Sequence, residues 1–207
     1  IEALTTIPSV TDFEHPVLDA IRTLCATSRI PFKRVSGGVY VGSWSANTVL
    51  VAHADRVGFI ALSGEIKPDN CLTLSYISPV DGGFAETLRA RYRYSILRGY
   101  DPTNGELMCW CTLAQDSDDL SARVHFVSPS YEGMTIGQDN PMPLTPAPAA
   151  TQRYGPFLQG SFDNSAGVAI ALKVVAQYPD SVGALFTVAE EGGGYRGLPH
   201  GGRGAQE

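Results

Sequence analysis

Apolar residues recur at intervals of three and four in two stretches of the chain, and this spacing predicts two helices. In the first stretch, residues 11–28, they form a single stripe, and Thr11 and Glu14 have the spacing of a capping box at its start. The second stretch, residues 165–178, is apolar over most of its helical surface and is followed by Pro179. A helix that is apolar all round is buried, so we expect this one to lie inside the protein.

Two short runs, residues 47–52 and 184–189, are almost entirely apolar and resemble strands. A strand that is buried on both faces has this continuous apolar pattern, which is typical of a parallel sheet covered by helices. Together with the helices, these runs predict an α/β domain made from two separated segments of the chain, residues 1–61 and 155–207.

The middle of the chain, residues 62–154, has shorter, strand-like stretches separated by turn signals such as Asn104-Gly105. These stretches are residues 71–77, 88–97, 107–113 and 122–127. In the second of them, arginines alternate with Ala90, Tyr92 and Tyr94, as expected for a half-exposed strand. The middle of the chain therefore predicts a small all-β barrel or sandwich, with a proline-rich return segment, inserted into the α/β domain.

Composition and charge narrow the choice of function. The 207-residue chain has a formal net charge of −6, which argues against nucleic acid as a partner. No apolar run reaches the roughly 18 residues that span a bilayer, so no membrane partner is expected. Cys109 and Cys111 would share one face of a strand and could bind a metal or fill a core, but no second cysteine pair completes a zinc site. Reduced cysteines fit a cytoplasmic protein best.

Acidic residues or histidine follow apolar structure at three places in the α/β segments. His53 and Asp55 follow the first strand, Asp163 precedes the second helix, and Glu190-Glu191 closes the last strand. Taken singly, Asp163 could be a helix cap and the glutamates a solvated strand end. Together they would repel one another at one sheet edge unless a cation lay among them. Imidazole and carboxylate are ligands for zinc, and carboxylates also suit manganese.

The order of these motifs resembles the dizinc aminopeptidases of the glutamyl and tetrahedral aminopeptidase type. Five stretches carry the resemblance: TTIPSVTDFE at 5–14, HADRVGF at 53–59, GMTIG at 133–137, DNSAG at 163–167 and EEGGGYRG at 190–197. The resemblance implies a three-layer zinc-peptidase-type α/β domain interrupted by a small β-barrel. It also implies a peptidase that removes N-terminal residues from peptides and forms a homo-oligomer.

Residue by residue, the resemblance implies a metal-ligand set of His53, Asp163 and Glu191, with Asp163 bridging two metal ions. It implies that Asp55 orients the imidazole of His53 and that Glu190 is the general base. The metal would be zinc, with two ions per site, and cobalt or manganese are further candidates.

The chain departs from the family pattern at several positions. Arg56 stands where the family has an acid, and Asn164-Ser165 stand where it has Asp-Arg. The family's later acid and C-terminal histidine have no match after Glu191, since His200 looks like a solvated residue. The resemblance therefore predicts a chain truncated at its C-terminus, with an incomplete ligand set. We expect its last strand to leave an unpaired apolar edge that promotes association.

Two other functions remain open at this point. A related dizinc deacylase or carboxypeptidase has the same order of motifs, although the early barrel insertion favours the aminopeptidase. The chain could also be a non-catalytic binding or assembly module that has kept the fold, which the incomplete ligand set favours. The intact Glu190-Glu191 pair argues against that third function.

Overall fold

The computed structural model describes residues 2–77, 85–146, 152–154, 157–159 and 163–189. The helices in these ranges are α1 (Glu2–Thr5), α2 (His15–Thr27), α3 (Ala85–Arg91) and α4 (Ser165–Gln177). The strands are β1 (Phe32–Val35), β2 (Gly38–Val41), β3 (Thr48–His53), β4 (Gly58–Glu65), β5 (Cys71–Ile77), β6 (Leu97–Tyr100), β7 (Leu107–Leu113), β8 (Ser121–Val127), β9 (Thr135–Ile136), β10 (Met142–Pro146), β11 (Gln152–Tyr154), β12 (Phe157–Gln159) and β13 (Val182–Thr187). No helix in the described ranges has the length and apolar character needed to cross a membrane.

The α/β part of the chain contains a four-stranded sheet in the order β1, β2, β13, β3. β13 is antiparallel to β2 and parallel to β3, so that Leu185 lies between Tyr40 and Val51. The prediction that the last strand forms an open edge is therefore wrong. β13 enters between two earlier strands, and β1 and β3 are the edges among the described strands. Local patterns carry no information on this order, because it is set by pairing between distant segments.

One face of this sheet is covered by α2 and α4. Ala184 and Phe186 of β13 lie beside Val41 and Val39 of β2, with all four side chains buried. They pack with the buried stripes of the two helices, namely Val17, Ile21 and Cys25 of α2 and Val168, Ala171 and Val175 of α4. The stripe predicted for α2 is thus confirmed except at Leu24, which is 49% exposed. Burying a side chain such as Phe186 contributes roughly 1.5–3 kcal/mol to the free energy of unfolding.

The opposite face of the sheet is open in the described part of the chain. Val49 and Val51 of β3 are 47% and 65% exposed, although the sequence predicted a strand buried on both faces. Ile170 of α4 is 57% exposed. This helix therefore buries only one stripe, whereas the sequence predicted that most of its surface is buried. On the open face Tyr40 is covered by the stacked ring of Trp44, whose centroid lies 4.4 Å away. The described residues of this part therefore form two layers.

The middle of the chain forms a closed barrel, as the sequence predicted. Six strands follow one another in the order β10, β6, β7, β8, β5 and β4, and β4 pairs with β10 to close the ring. β9 pairs with β4 as an additional strand. The strands predicted at residues 71–77, 107–113 and 122–127 are present as β5, β7 and β8. Phe59, Leu97 and Leu144 are among the fully buried residues of the barrel core.

The strand predicted at residues 88–97 is wrong. Residues 85–91 form α3, and β6 begins only at Leu97. Leu88 and Tyr92, four residues apart, are both buried in the barrel core, and the rings of Tyr92 and Phe59 meet edge to face at 5.3 Å. Arg89 donates hydrogen bonds to the backbone carbonyl oxygens of Ser117 and Asp119. The helical spacing of the two buried side chains thus outweighs the alternation of the arginines.

Candidate active site

His53 lies at the carboxyl end of β3, beside the end of β13. The parallel register places His53 opposite Thr187, and the amide of Ala54 donates to the carbonyl oxygen of Thr187 at 2.8 Å. Residues that follow the two strands therefore emerge at the same sheet edge. In α/β sheets this edge is where ligands bind.

Asp163 reaches the same edge from the start of α4. Its Oδ1 lies 3.2 Å from Nε2 of His53, and its side chain is 78% exposed, against 15% for His53. The helix is capped by the next residue, since Oδ1 of Asn164 accepts the amide hydrogen of Gly167 at 3.1 Å. Because Asn164 satisfies the helix terminus, Asp163 is not the cap and its carboxylate can face His53.

The other nitrogen of the His53 ring faces Asp55. Nδ1 lies 3.0 Å from the backbone carbonyl oxygen of Asp55 and 3.7 Å from its Oδ1. Both of these atoms are hydrogen-bond acceptors, so we assign the ring proton to Nδ1. The lone pair of Nε2 then points toward Asp163. A lone pair and a carboxylate oxygen at this distance repel each other unless a proton or a metal cation lies between them.

The carboxylate of Asp55 is completely buried. Its Oδ2 accepts a hydrogen bond of 2.8 Å from the hydroxyl of Thr11. The sequence predicted Thr11 as one half of a capping box, but α2 begins only at His15 and no side chain caps it. Thr11 instead supports Asp55, and through it the ring of His53 at the end of β3.

Glu14, the other half of the predicted capping box, also contacts residues near this sheet edge. Its Oε1 accepts hydrogen bonds from the amides of Asp12 at 3.0 Å and Ala189 at 3.2 Å. Burial, with a smaller contribution from the negative charge of Asp55, raises the pKa of Glu14 from 4.5 to about 7 against the effect of the amide hydrogen bonds. No pattern in the sequence indicated the long-range partners Asp55 and Ala189, because Thr11 and Glu14 fit a local motif equally well.

Arg56 joins the N-terminal segment to the site. Its guanidinium donates to Oγ of Ser9 at 2.8 Å and to the carbonyl oxygens of Leu4, Thr5 and Ile7. Burial lowers its pKa. Where the family resemblance predicts an acid, this chain has a cation that binds the carbonyl end of α1. The replacement therefore serves the packing of residues 4–9.

The structure brings together two of the three predicted metal ligands, His53 and Asp163. The third, Glu191, lies outside the described residues, as do the predicted base Glu190 and the later His200. Within the described ranges, no group of three or more histidine, cysteine or acidic side chains is arranged to hold a metal. The observed site is thus a pair of donors at the sheet edge.

The Cys109 and Cys111 pair is separate from this edge. The two sulfur atoms are 3.6 Å apart, and Sγ of Cys109 lies 3.9 Å from Sδ of Met142. All three residues are fully buried in the barrel, and neither cysteine forms a disulfide. Of the two interpretations that the sequence left open, these contacts favour core packing.

No protein-family profile matches the chain, and no curated protein is significantly similar to it in sequence. Solved structures are similar. One is a TET aminopeptidase from a marine-sediment archaeon of the Thaumarchaeota, with a TM-score of 0.66 and 17% identity over 95% of this chain. The chain has the fold of the TET aminopeptidases.

Two further structures give the same result. A Thermotoga maritima protein named as an endoglucanase has a TM-score of 0.63 and 17% identity over 90% of this chain. The Pyrococcus horikoshii TET1 peptidase, which assembles into a tetrahedron or an octahedral shell, has a TM-score of 0.59 and 13% identity over 91% of this chain. The chain spans 58% of the length of the first two structures and 59% of the third. At these identities the similarity establishes the fold and leaves the activity to be argued from the site.

Proposed function

We propose that this protein is a metal-dependent aminopeptidase and that the sheet edge carrying His53 and Asp163 is part of its active site. The observation that carries the proposal is the distance of 3.2 Å between Nε2 of His53 and Oδ1 of Asp163. Two side chains 110 residues apart in sequence converge at the carboxyl end of parallel strands, where a ligand site is expected. The fold shared with known aminopeptidases supports the same conclusion.

The two donors suit zinc. A neutral imidazole nitrogen and a carboxylate oxygen are both standard zinc ligands, and a cation between them would remove their repulsion. We propose that His53, Asp163 and Glu191 hold the metal, with Asp163 shared between two ions. When bound, zinc would polarise the carbonyl group of the scissile peptide bond.

The remaining roles fall to protein side chains. We assign Asp55 to orienting the His53 ring, with its carboxylate held by Thr11. We assign Glu190 as the general base, which takes a proton from the attacking water and returns it to the leaving amine. The substrate would be a peptide with a free N-terminal amine.

We propose that the functional protein has a third layer over the open face of the sheet and that it is a homo-oligomer. The exposed apolar side chains of Val49 and Val51 support the third layer. The shells formed by the Pyrococcus horikoshii TET1 peptidase support the assembly.

The test is an assay of the purified protein with added zinc, using a leucine p-nitroanilide with a free amine and its N-acetylated form. We expect hydrolysis of the first substrate only, and loss of that activity in His53→Ala. The matched control is His125→Ala, since His125 is exposed on the barrel. Release of acetate from the acetylated substrate, with its p-nitroanilide bond left intact, would favour a deacylase, and turnover of soluble cellulose would favour the activity named for the Thermotoga protein. No turnover by zinc-loaded protein would favour a binding module.

A further inference from the structure

The chain leaves β13 through a constrained backbone. The amide of Val188 donates to the carbonyl oxygen of Gly37 at 3.1 Å, and Ala189 then has a φ of 63°. A residue with a Cβ seldom adopts this left-handed conformation, because its Cβ approaches the carbonyl oxygen. Ala189 is the last described residue before Glu190. A contact with another part of the chain must therefore hold its backbone in this conformation.

The partner of Ala189 is the carboxyl group of Glu14, 175 residues away in sequence. Glu14 itself is 7% exposed, and its hydrogen bonds to Asp12 and Ala189 are partly buried. The same Oε1 atom accepts the amides of both Ala189 and Asp12, and Asp12 also has a left-handed φ of 69°. One oxygen atom thus ties two left-handed turns together, one before α2 and one after β13.

We propose that Glu14 is a positioning residue of the active site, which fixes the backbone at Ala189, directly before Glu190 and Glu191 in the sequence. The role of the two glutamates rests on the proposed function, whereas the hydrogen bond to Ala189 does not. Glu14 does not cap α2 with its side chain. Its conformation is therefore explained by its hydrogen bonds to the amides of Asp12 and Ala189 and not by a role as a helix cap.

The anchor requires an oxygen acceptor and not a negative charge. Oε1 accepts both amides, so a proton can reside on Oε2 without breaking either bond. The raised pKa of about 7, caused by burial, agrees with a carboxyl group that is often protonated near neutral pH. Glutamine keeps an oxygen in the same place, and alanine removes it. Aspartate withdraws it by one methylene group.

The test compares Glu14→Ala, Glu14→Asp and Glu14→Gln with the wild type, with Glu86→Ala on the exposed face of α3 as control. Two quantities are measured: the hydrogen-exchange rate of the Ala189 amide by NMR, and the zinc affinity by competition with a chelator. We expect exchange to accelerate by about tenfold or more in the alanine and aspartate variants. We expect zinc affinity to fall by about tenfold in both, the lower end for loss of an outer-shell partner. The glutamine and control variants should match the wild type.

Unchanged exchange at Ala189 in Glu14→Ala would overturn the proposal. If that variant does not fold, Glu14→Asp decides by the same criterion. Faster exchange with unchanged zinc affinity would reduce Glu14 to a structural residue, which also contradicts the proposal. If the wild type itself binds no zinc, the proposed function fails, while the Ala189 amide still reports whether the anchor exists.

Discussion

The barrel and the four-stranded sheet differ in whether their edge strands are paired. In the barrel, pairing between β4 and β10 closes the ring. In the four-stranded sheet, β3 is left as an edge, and Val49 and Val51 face outward from one side. Closure removes unpaired backbone groups, so the barrel is complete within the described residues. The open sheet still has apolar surface to bury.

The same difference locates the chemistry. His53 and Asp163 meet at the end of the open sheet, at the carboxyl end of β3. In a closed barrel each strand is paired on both sides. The strand ends of an open sheet, and the loops after them, can place side chains around a ligand. We therefore expect the barrel to be stable on its own, and the proposed site on the open sheet to depend on other segments that hold it.

The largest expected effect comes from the barrel core. Phe59→Ala should lower the free energy of unfolding by about 3–5 kcal/mol, because Phe59 is fully buried. Phe126→Ala, on the outside of the same barrel and 43% exposed, should cost about 1 kcal/mol, mainly its contact with Trp110. Denaturant unfolding followed by Trp110 fluorescence in a Trp44→Phe background reports on the barrel alone. Equal losses in both variants would show that the barrel is not a packed core.

The next effect is a dependence of the free energy of unfolding on pH, caused by Glu14, whose carboxyl group contacts the chain just after β13 of the open sheet. Folding raises the pKa of Glu14 to about 7, so the folded state binds this proton more tightly than the unfolded state. The stability that this provides is fully present below a pH of about 4.5 and is lost as pH rises through about 7. The loss is about 3 kcal/mol.

Glu14→Gln cannot ionise, so it should remove this loss. The difference in free energy of unfolding between this variant and the wild type should shift by about 3 kcal/mol in favour of the variant as the pH rises from roughly 5 to 8. Glu86→Gln is the control, and it should follow the wild type. Parallel pH profiles for Glu14→Gln and the wild type would contradict the assigned burial of Glu14.

The local sequence predicted elements better than it predicted their partners. α4, β5, β7 and β8 were foreseen nearly to their ends, because their burial follows their own periodicity. α3 was missed because arginine alternation and helical spacing coincide in residues 85–92. The order of the sheet could not be foreseen, since β13 pairs with segments more than 130 residues earlier.

The candidate site divides in the same way. The sequence predicted that His53 and Asp163 act together, because strand ends and helix starts converge in this class of sheet. Thr11 and Glu14 were assigned to a helix cap, although their partners are Asp55 and Ala189. Residues that match a local motif in the sequence can instead make long-range contacts in the structure. The sequence alone does not distinguish the local role from the long-range one.

The smallest effect on stability concerns the open face. Val51→Lys should change the free energy of unfolding by about 0.5 kcal/mol or less, because Val51 is 65% exposed. It should nevertheless weaken self-association, measured by sedimentation velocity over a range of concentrations, since a charge on an open sheet opposes pairing. Phe126→Lys tests the barrel surface in parallel. If only the barrel variant dissociates the protein, association does not use the open face.

The most direct test of the central claim is the zinc affinity of the wild type, His53→Ala and Asp163→Asn, measured by competition with a chromophoric chelator. The account predicts that the wild type binds zinc and that each substitution weakens binding by at least about tenfold, while His125→Ala leaves it unchanged. A wild type that binds no zinc, or variants that bind it as tightly as the wild type, would show that the His53–Asp163 pair at the sheet edge is not a metal site.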